Sequence, residues 1–164
     1  MSPTFTFLHV AWVGIGATAV MDLWLLLLRR LGVPTLNFAF IGRWVGHLPR
    51  GRFVHPAIAR APAVPAELAL GWLTHYGVGV LFAGLLVALQ GTAWLQQPRL
   101  LPAVAVGMAT VAAPLFVMQP AMGAGIASSR TATPLKNVLR SLANHTVFGV
   151  GLYLAARLLT ALPA

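Results

Sequence analysis

Each long apolar segment of this chain contains a series of mostly small residues spaced four apart. Each series includes one side chain that could bind a ligand, a metal or a proton. These side chains are Asp22, His75, Met118 and His145. Residues four apart share a helix face, so each would lie on the same face as its small neighbours. Ionisable groups at membrane depth are costly and mark candidate functional sites. The four series are Gly14, Thr18, Asp22; Gly71, His75, Gly79, Ala83; Pro114, Met118, Met122; and Ser141, His145, Gly149, Tyr153.

Three kinds of chemistry fit this set of side chains. Two histidines and one carboxylate suit a divalent transition metal, and thioethers favour Cu(I). Alternatively, His75 and His145 are axial haem ligands, or Asp22 and His75 form a proton relay for a transported solute or lipid. A purely structural role also stays open, because a polar pair between membrane helices can simply lock a bundle. The candidate ligand or metal residues are Asp22, His75, His145, Met118, Gln119 and Met122.

The candidate residues lie at a similar depth in their segments. At about 1.5 Å per residue, Asp22, His75 and His145 each lie about 8–12 Å inside the cytoplasmic end of a predicted span, measured from Arg29, Glu67 and Arg140. Met118 and Gln119 lie about one turn before the end of the third segment. We therefore expect one site in the cytoplasmic third of a helical bundle.

The composition is that of an integral membrane protein. The 164 residues are 59% hydrophobic and 8% charged, with a mean hydropathy of +0.83, whereas a soluble domain carries about 25% charged residues. The chain has no cysteine, which excludes disulfides and thiolate chemistry. The first apolar run lacks a basic n-region and is long enough to span, so we expect an uncleaved helix.

Hydropathy predicts an all-α membrane protein with four spans in a single domain, 1–164. A span needs about 20 residues, and the candidates are about 5–28, 67–90, 100–122 and 139–162. Nine of the eleven basic residues lie in or near the 29–66 and 123–138 loops. By the positive-inside rule this side is cytoplasmic and both termini are periplasmic. The same rule explains the net charge of +9 without nucleic-acid binding.

The first cytoplasmic loop contains a predicted short amphipathic helix. In residues 37–48, apolar side chains recur at helical spacing and Asn37, Arg43 and His47 fall largely on the other side. Such a helix lies in the membrane interface, with Trp44 as its anchor. Arginine forks bind phosphate or carboxylate, so anionic lipid headgroups are expected partners. The headgroup candidates are Arg43, His47, Arg50, Arg52, His55 and Arg130.

Hydrolytic chemistry has little support. Ser128 and Ser129 have no nearby base in the sequence, and Asp22 and Glu67 are not a paired set of carboxylates. We therefore expect no catalytic residue. The alternatives to ligand binding are a small proton-coupled transporter, a lipid-handling protein, or an accessory subunit that packs its glycine and alanine faces in a homo-oligomer or larger membrane complex.

Five strings carry a resemblance to a known family, and together they cover nearly the whole chain. The sequence resembles a bacterial integral-membrane family named domain of unknown function 2938. The resemblance implies a bacterial inner-membrane location and a single domain, and it implies no reaction, cofactor or site residue. The strings are GIGATAVMDLW (14–24), GRWVGHLPRGRF (42–53), GWLTHYGVG (71–79), MQPAMGAGIASSRT (118–131) and HTVFGVGLYLA (145–155).

Overall fold

The computed structural model describes residues 3–161, and this part of the chain is helical with no strand. Four helical stretches are long and apolar enough to cross a membrane, so the predicted multi-pass helical fold is confirmed. The three unbroken spanning helices are α1 (Pro3–Arg30), α3 (Glu67–Gln90) and α7 (Pro134–Ala161). The third span, Leu100–Ala121, is interrupted. Two shorter helices are α2 (Phe38–His47) and α4 (Ala93–Gln96).

The third span changes its winding at two prolines. It begins as α5 (Leu100–Ala109), passes through a π-helical turn (Pro114–Met118) and ends as α6 (Gln119–Ala121). Pro114 and Pro120 have no amide proton, so the regular ladder of helical hydrogen bonds cannot continue through them. Across the wide turn the Gln119 N–H donates to the Pro114 carbonyl. Such π turns often occur at functional sites.

The chain forms two compact units, and the boundaries between them fall inside α3 and α7. The first unit comprises the described residues of Met1–Pro34, Tyr76–Thr110 and Asn144–Ala164. The second comprises Thr35–His75 and Val111–Ala143.

The small-residue faces of the first unit are its helix contacts. An ideal Cβ on Gly14 of α1 would lie 2.5 Å from the Val80 Cα of α3. On Gly107 of α5 it would lie 2.5 Å from the Gly149 Cα of α7. Membrane helices associate where small residues let their backbones approach, so these positions fix which faces meet. The buried core includes Val13, Ala17, Leu86, Phe148 and Leu152.

The second unit is built on a crossing of α2 over the first turns of α3. A Cβ on Gly42 would collide with the Glu67 carbonyl, and one on Gly71 would collide with the Phe38 carbonyl. The Asn37 side chain caps α2 by accepting from the Ala39 N–H at 3.0 Å. The predicted loop helix is therefore present, and its close approach to α3 requires glycine on both sides.

Two loops are joined in the second unit by backbone hydrogen bonds. The His55 N–H donates to the Ala121 carbonyl at 2.8 Å, and the Ile58 N–H donates to the Met122 carbonyl at 3.1 Å. Gly123 follows with a φ of +96°, and a Cβ there would collide with the Pro56 carbonyl. These contacts attach the proline-rich segment that precedes α3 to the end of the third span.

Gly71→Ala is expected to lower the free energy of unfolding by about 1–3 kcal/mol, because the methyl group overpacks the α2–α3 crossing. Gly77→Ala in the same helix is the matched control, since a Cβ there meets no atom within 4 Å. The control should be neutral or stabilising, because alanine favours a helix over glycine by about 1 kcal/mol. Unfolding in mixed micelles, followed by tryptophan fluorescence, gives both values. Equal effects of the two substitutions would contradict the crossing.

Candidate functional site

Asp22 is hydrogen-bonded across the first unit to a tyrosine. The Tyr76 hydroxyl of α3 donates to the Asp22 carboxylate of α1 at 2.8 Å. The contact follows from the glycine packing of the same two helices, since Gly14 and Thr18 precede Asp22 by two turns and one turn on the α1 face that meets Gly79. The hydrogen bond joins α1 to α3 through their polar side chains.

Two further polar contacts join the helices of this unit. The Trp24 indole N–H donates to the Asn144 side-chain oxygen at 3.0 Å, which links α1 to α7. The Thr110 hydroxyl oxygen and His145 Nδ1 are 2.9 Å apart, which links the third span to α7. Together with the Asp22–Tyr76 contact, these residues connect all four spans. We call the set the polar belt: Asp22, Trp24, Tyr76, Thr110, Asn144 and His145.

The hydrogen bonds of Thr110 assign the tautomer of His145. The Thr110 hydroxyl donates its one proton to the Gly107 carbonyl at 2.6 Å. Its oxygen must therefore accept from His145, so His145 Nδ1 carries a proton. In the neutral ring Nε2 is then an acceptor. The belt thus offers both hydrogen-bond donors and acceptors, together with one carboxylate.

The residues nominated from the sequence fall in both units. Asp22 and His145 belong to the first, whereas His75, Met118, Gln119 and Met122 belong to the second. Each of the four residues in the second unit has neighbours within that unit. The His75 ring lies against Phe38, with ring centres 4.5 Å apart, and the Gln119 side chain accepts from the Ser128 hydroxyl at 2.9 Å. Met122 is buried, and Met118 ends the π turn half-buried.

Within residues 3–161, no group of three or more histidine, aspartate and glutamate side chains could hold a metal ion. The geometry therefore does not support the metal site with two histidines and a carboxylate that the sequence suggested.

Arg43 of α2 is fully engaged inside the second unit. Its Nε and one terminal nitrogen donate to the two Glu67 carboxylate oxygens, each at 2.8 Å. The other terminal nitrogen donates to three backbone carbonyls, those of Ile58, Ala59 and Ala61, at 3.1–3.3 Å. The hydrogen bonds that Arg43 donates to Glu67 raise the pKa of Arg43. Arg43 thus holds the 58–61 segment and α3 together. These contacts occupy the donors that the sequence analysis expected to bind lipid headgroups.

His47 and His55 form a buried pair in the same unit. Their exposed fractions are 1% and 7%, and their ring centres are 5.0 Å apart. His47, expected on the polar face of α2, is instead covered by the returning loop, and its Nε2 lies 2.9 Å from the Pro62 carbonyl. Burial lowers the pKa of His55, and the nearby His47 lowers it further. The His55 ring is therefore held where its charged form is disfavoured.

The remaining headgroup candidates, Arg50, Arg52 and Arg130, have exposed side chains. Phe53 and Val54 beside them are also exposed, at 61% and 71%. An arginine pair next to exposed apolar side chains suits a lipid–water interface.

Sequence reasoning missed four residues of the polar belt: Trp24, Tyr76, Thr110 and Asn144. Each is a polar or amphipathic residue within a span, and three of them lie within two positions of a nominated residue. That proximity was the available signal. It could not decide between His75 and Tyr76, because neighbours on a helix point about 100° apart.

The sequence matches a family described as "Protein of unknown function (DUF2938)" over residues 11–159. The chain belongs to this family, which confirms the resemblance noted from its motifs. No curated protein and no solved structure matches it.

Arg43→Lys is expected to destabilise the second unit although it conserves the charge. A lysine ammonium cannot form the paired contact with both Glu67 oxygens while also reaching three carbonyls. Arg50→Lys is the matched control, because Arg50 is exposed. The midpoint of thermal unfolding in detergent should fall for Arg43→Lys and stay near the wild-type value for Arg50→Lys. A wild-type midpoint for Arg43→Lys would show that charge alone suffices.

Proposed function

We propose that this member of a family of unknown function binds a small ligand or ion inside the membrane, at the polar belt of its first unit. Asp22 supplies the negative charge, and the observation that carries the proposal is its hydrogen bond from Tyr76. An ionised carboxylate has about four acceptor positions. It can therefore bind a proton, or the donors of a small cationic ligand, while it keeps the phenol.

Magnitudes favour this role over packing alone. A charged aspartate in the middle of a membrane helix costs about 2.5–3.5 kcal/mol on insertion scales. A polar bond between membrane helices contributes about 0.6 kcal/mol on average. A belt that served only to join helices would be more stable with an uncharged side chain at this position, so a function that needs the charge accounts better for Asp22.

Proton-coupled transport is the alternative, and it uses the same carboxylate. Asp22 and His145 are both titratable members of the polar belt, and membrane proton relays are built from such groups. Haem ligation by His75 and His145 stays a prediction, which the visible absorption spectrum of the purified protein tests. An accessory subunit would instead co-purify with a stoichiometric partner.

Infrared difference spectroscopy tests protonation of Asp22 with unusual clarity, because the chain has two acidic side chains. Acidification should produce the carbonyl bands of protonated carboxylic acids, one of which belongs to Asp22. We expect Asp22→Asn to abolish that band and Glu67→Gln to retain it. Tyr76→Phe should shift its frequency because the phenol is lost, whereas Tyr153→Phe, at the other tyrosine, should not. If every band survives Asp22→Asn, the proton site is refuted.

Ligand binding is tested on the same variants. Small molecules and ions extracted from detergent-purified wild-type protein are compared by mass spectrometry and elemental analysis with those from Asp22→Asn and Tyr153→Phe. A species lost only with Asp22 supports the proposal. Identical extracts from all three proteins would refute ligand binding at Asp22. If the unfolding midpoint also changes in Asp22→Asn alone, the role of Asp22 is structural.

Orientation and lipid contacts complete the proposal. The basic loops favour an inner-membrane protein with both termini in the periplasm. The exposed Arg50 and Arg52, with Phe53 and Val54, favour anionic headgroups at the cytoplasmic face. Arg50→Gln with Arg52→Gln should reduce the anionic phospholipid in the extracts. An unchanged lipid content would refute that contact.

The cysteine-free chain makes the orientation easy to measure. Ala132→Cys and Gln96→Cys each place a thiol at an exposed position between two spans, on opposite sides of the predicted topology. In intact cells, a membrane-impermeant maleimide should label the second and not the first. The reverse pattern would invert the topology.

A further inference from the structure

Two buried nitrogen atoms in the second unit have no hydrogen-bond partner. They are His47 Nδ1 and His55 Nε2, and they belong to the pair of rings whose centres are 5.0 Å apart. A buried polar atom without a partner costs about 1–3 kcal/mol. Two such atoms on adjacent rings indicate that both bind something that the protein itself does not supply.

A backbone carbonyl lies near the other nitrogen of each ring. His47 Nε2 faces the Pro62 carbonyl at 2.9 Å, and a carbonyl only accepts, so Nε2 carries the proton. The Arg52 carbonyl is the backbone acceptor near the His55 ring, and because Nε2 has no partner, this carbonyl favours a proton on Nδ1. Both unpartnered nitrogens therefore present lone pairs. Metal-binding histidines show this arrangement, in which the second N–H is held by a carbonyl or carboxylate.

The charges nearby select an ion of low charge. Glu67 is the one acidic side chain among the described residues of the second unit, and Arg43 already engages it. Arg50 and Arg52 add positive charge to the same loop. Two neutral imidazoles cannot offset a divalent cation there, and an uncompensated buried charge is costly. A monovalent metal ion would leave half as much uncompensated charge as a divalent one.

The spacing of the rings leaves room for a third donor. With a metal–nitrogen distance of about 2.0–2.1 Å, a linear arrangement would separate the ring centres by about 6 Å. The observed 5.0 Å corresponds to a bent arrangement. Met122 is the candidate, because it is buried and its neighbour Ala121 accepts from the His55 backbone N–H. A thioether with imidazoles is a donor set for Cu(I).

We infer that His47 and His55, with Met122 as third ligand, form a Cu(I)-binding site in the second unit. This donor set needs no carboxylate and no thiolate, and it is separate from the polar belt. The site holds the ion and does not by itself imply a reaction. It would also bind Ag(I), which has the same charge and similar preferences.

Anaerobic titration of detergent-purified protein with Cu(I), against a chromophoric Cu(I) chelator, tests the inference. We expect one Cu(I) per wild-type chain. His47→Gln and His55→Gln should weaken binding by at least about tenfold, whereas His9→Gln should not. Met122→Leu conserves volume and should weaken binding, and Met118→Leu is its control. X-ray absorption should show two imidazole nitrogens and one sulfur, with the sulfur lost in Met122→Leu.

Several results would overturn the inference. The inference is wrong if the protein does not bind Cu(I) stoichiometrically. It is also wrong if the protein binds Zn(II) with equal affinity, because the charge argument excludes a divalent ion. Loss of binding in His75→Gln or His145→Gln, with His47→Gln unaffected, would place the metal in the spans. If the His47 and His55 variants do not fold, the absorption spectra of wild type and Met122→Leu decide. Asp22→Asn should leave Cu(I) binding unchanged, so this test and that of the polar belt fail independently.

Discussion

The close approach of helix backbones at glycine is the constraint on which the rest of the structure depends. Lipid gives apolar side chains no reason to prefer each other, so membrane helices associate by packing. Gly14 against Val80 and Gly107 against Gly149 show how near the backbones come. Gly14 fixes which faces of α1 and α3 meet. Asp22 lies two turns later on the same face of α1, and there the Tyr76 hydroxyl donates to it. The position of the polar belt is therefore a consequence of glycine packing.

The second unit uses the same device and adds an ion pair. Gly42 and Gly71 bring α2 against α3, and this contact places Arg43 beside Glu67. The guanidinium then gathers the carbonyls of the 58–61 segment, which have no helix to satisfy them. With that segment held, the loop closes over His47 and shields it from water. The histidine pair is thus buried as a result of how an irregular loop satisfies its backbone.

The spans and contact faces could be predicted from the sequence because they depend on local quantities. Hydropathy locates a span, and four-residue spacing locates a helix face. The partners could not be predicted, because they depend on rotation and register between helices. Asp22 meets Tyr76 at a position next to the nominated His75. Arg43 and His47 look like interface residues in a charged loop, and nothing local shows that Glu67 and Pro62 lie beside them.

The two acidic side chains explain how the chemistry of the chain is divided. Glu67 is paired with Arg43, so the carboxylate contributes to structure and is not available to a cation. Asp22 instead accepts a hydrogen bond from the Tyr76 hydroxyl. In the proposed function, a cationic ligand or a proton would bind this carboxylate. The histidine pair, which has no anion to share, can hold an ion only through lone pairs, and so favours a soft metal of low charge. The two proposed sites thus differ in chemistry because one is built on a carboxylate and the other on imidazole lone pairs.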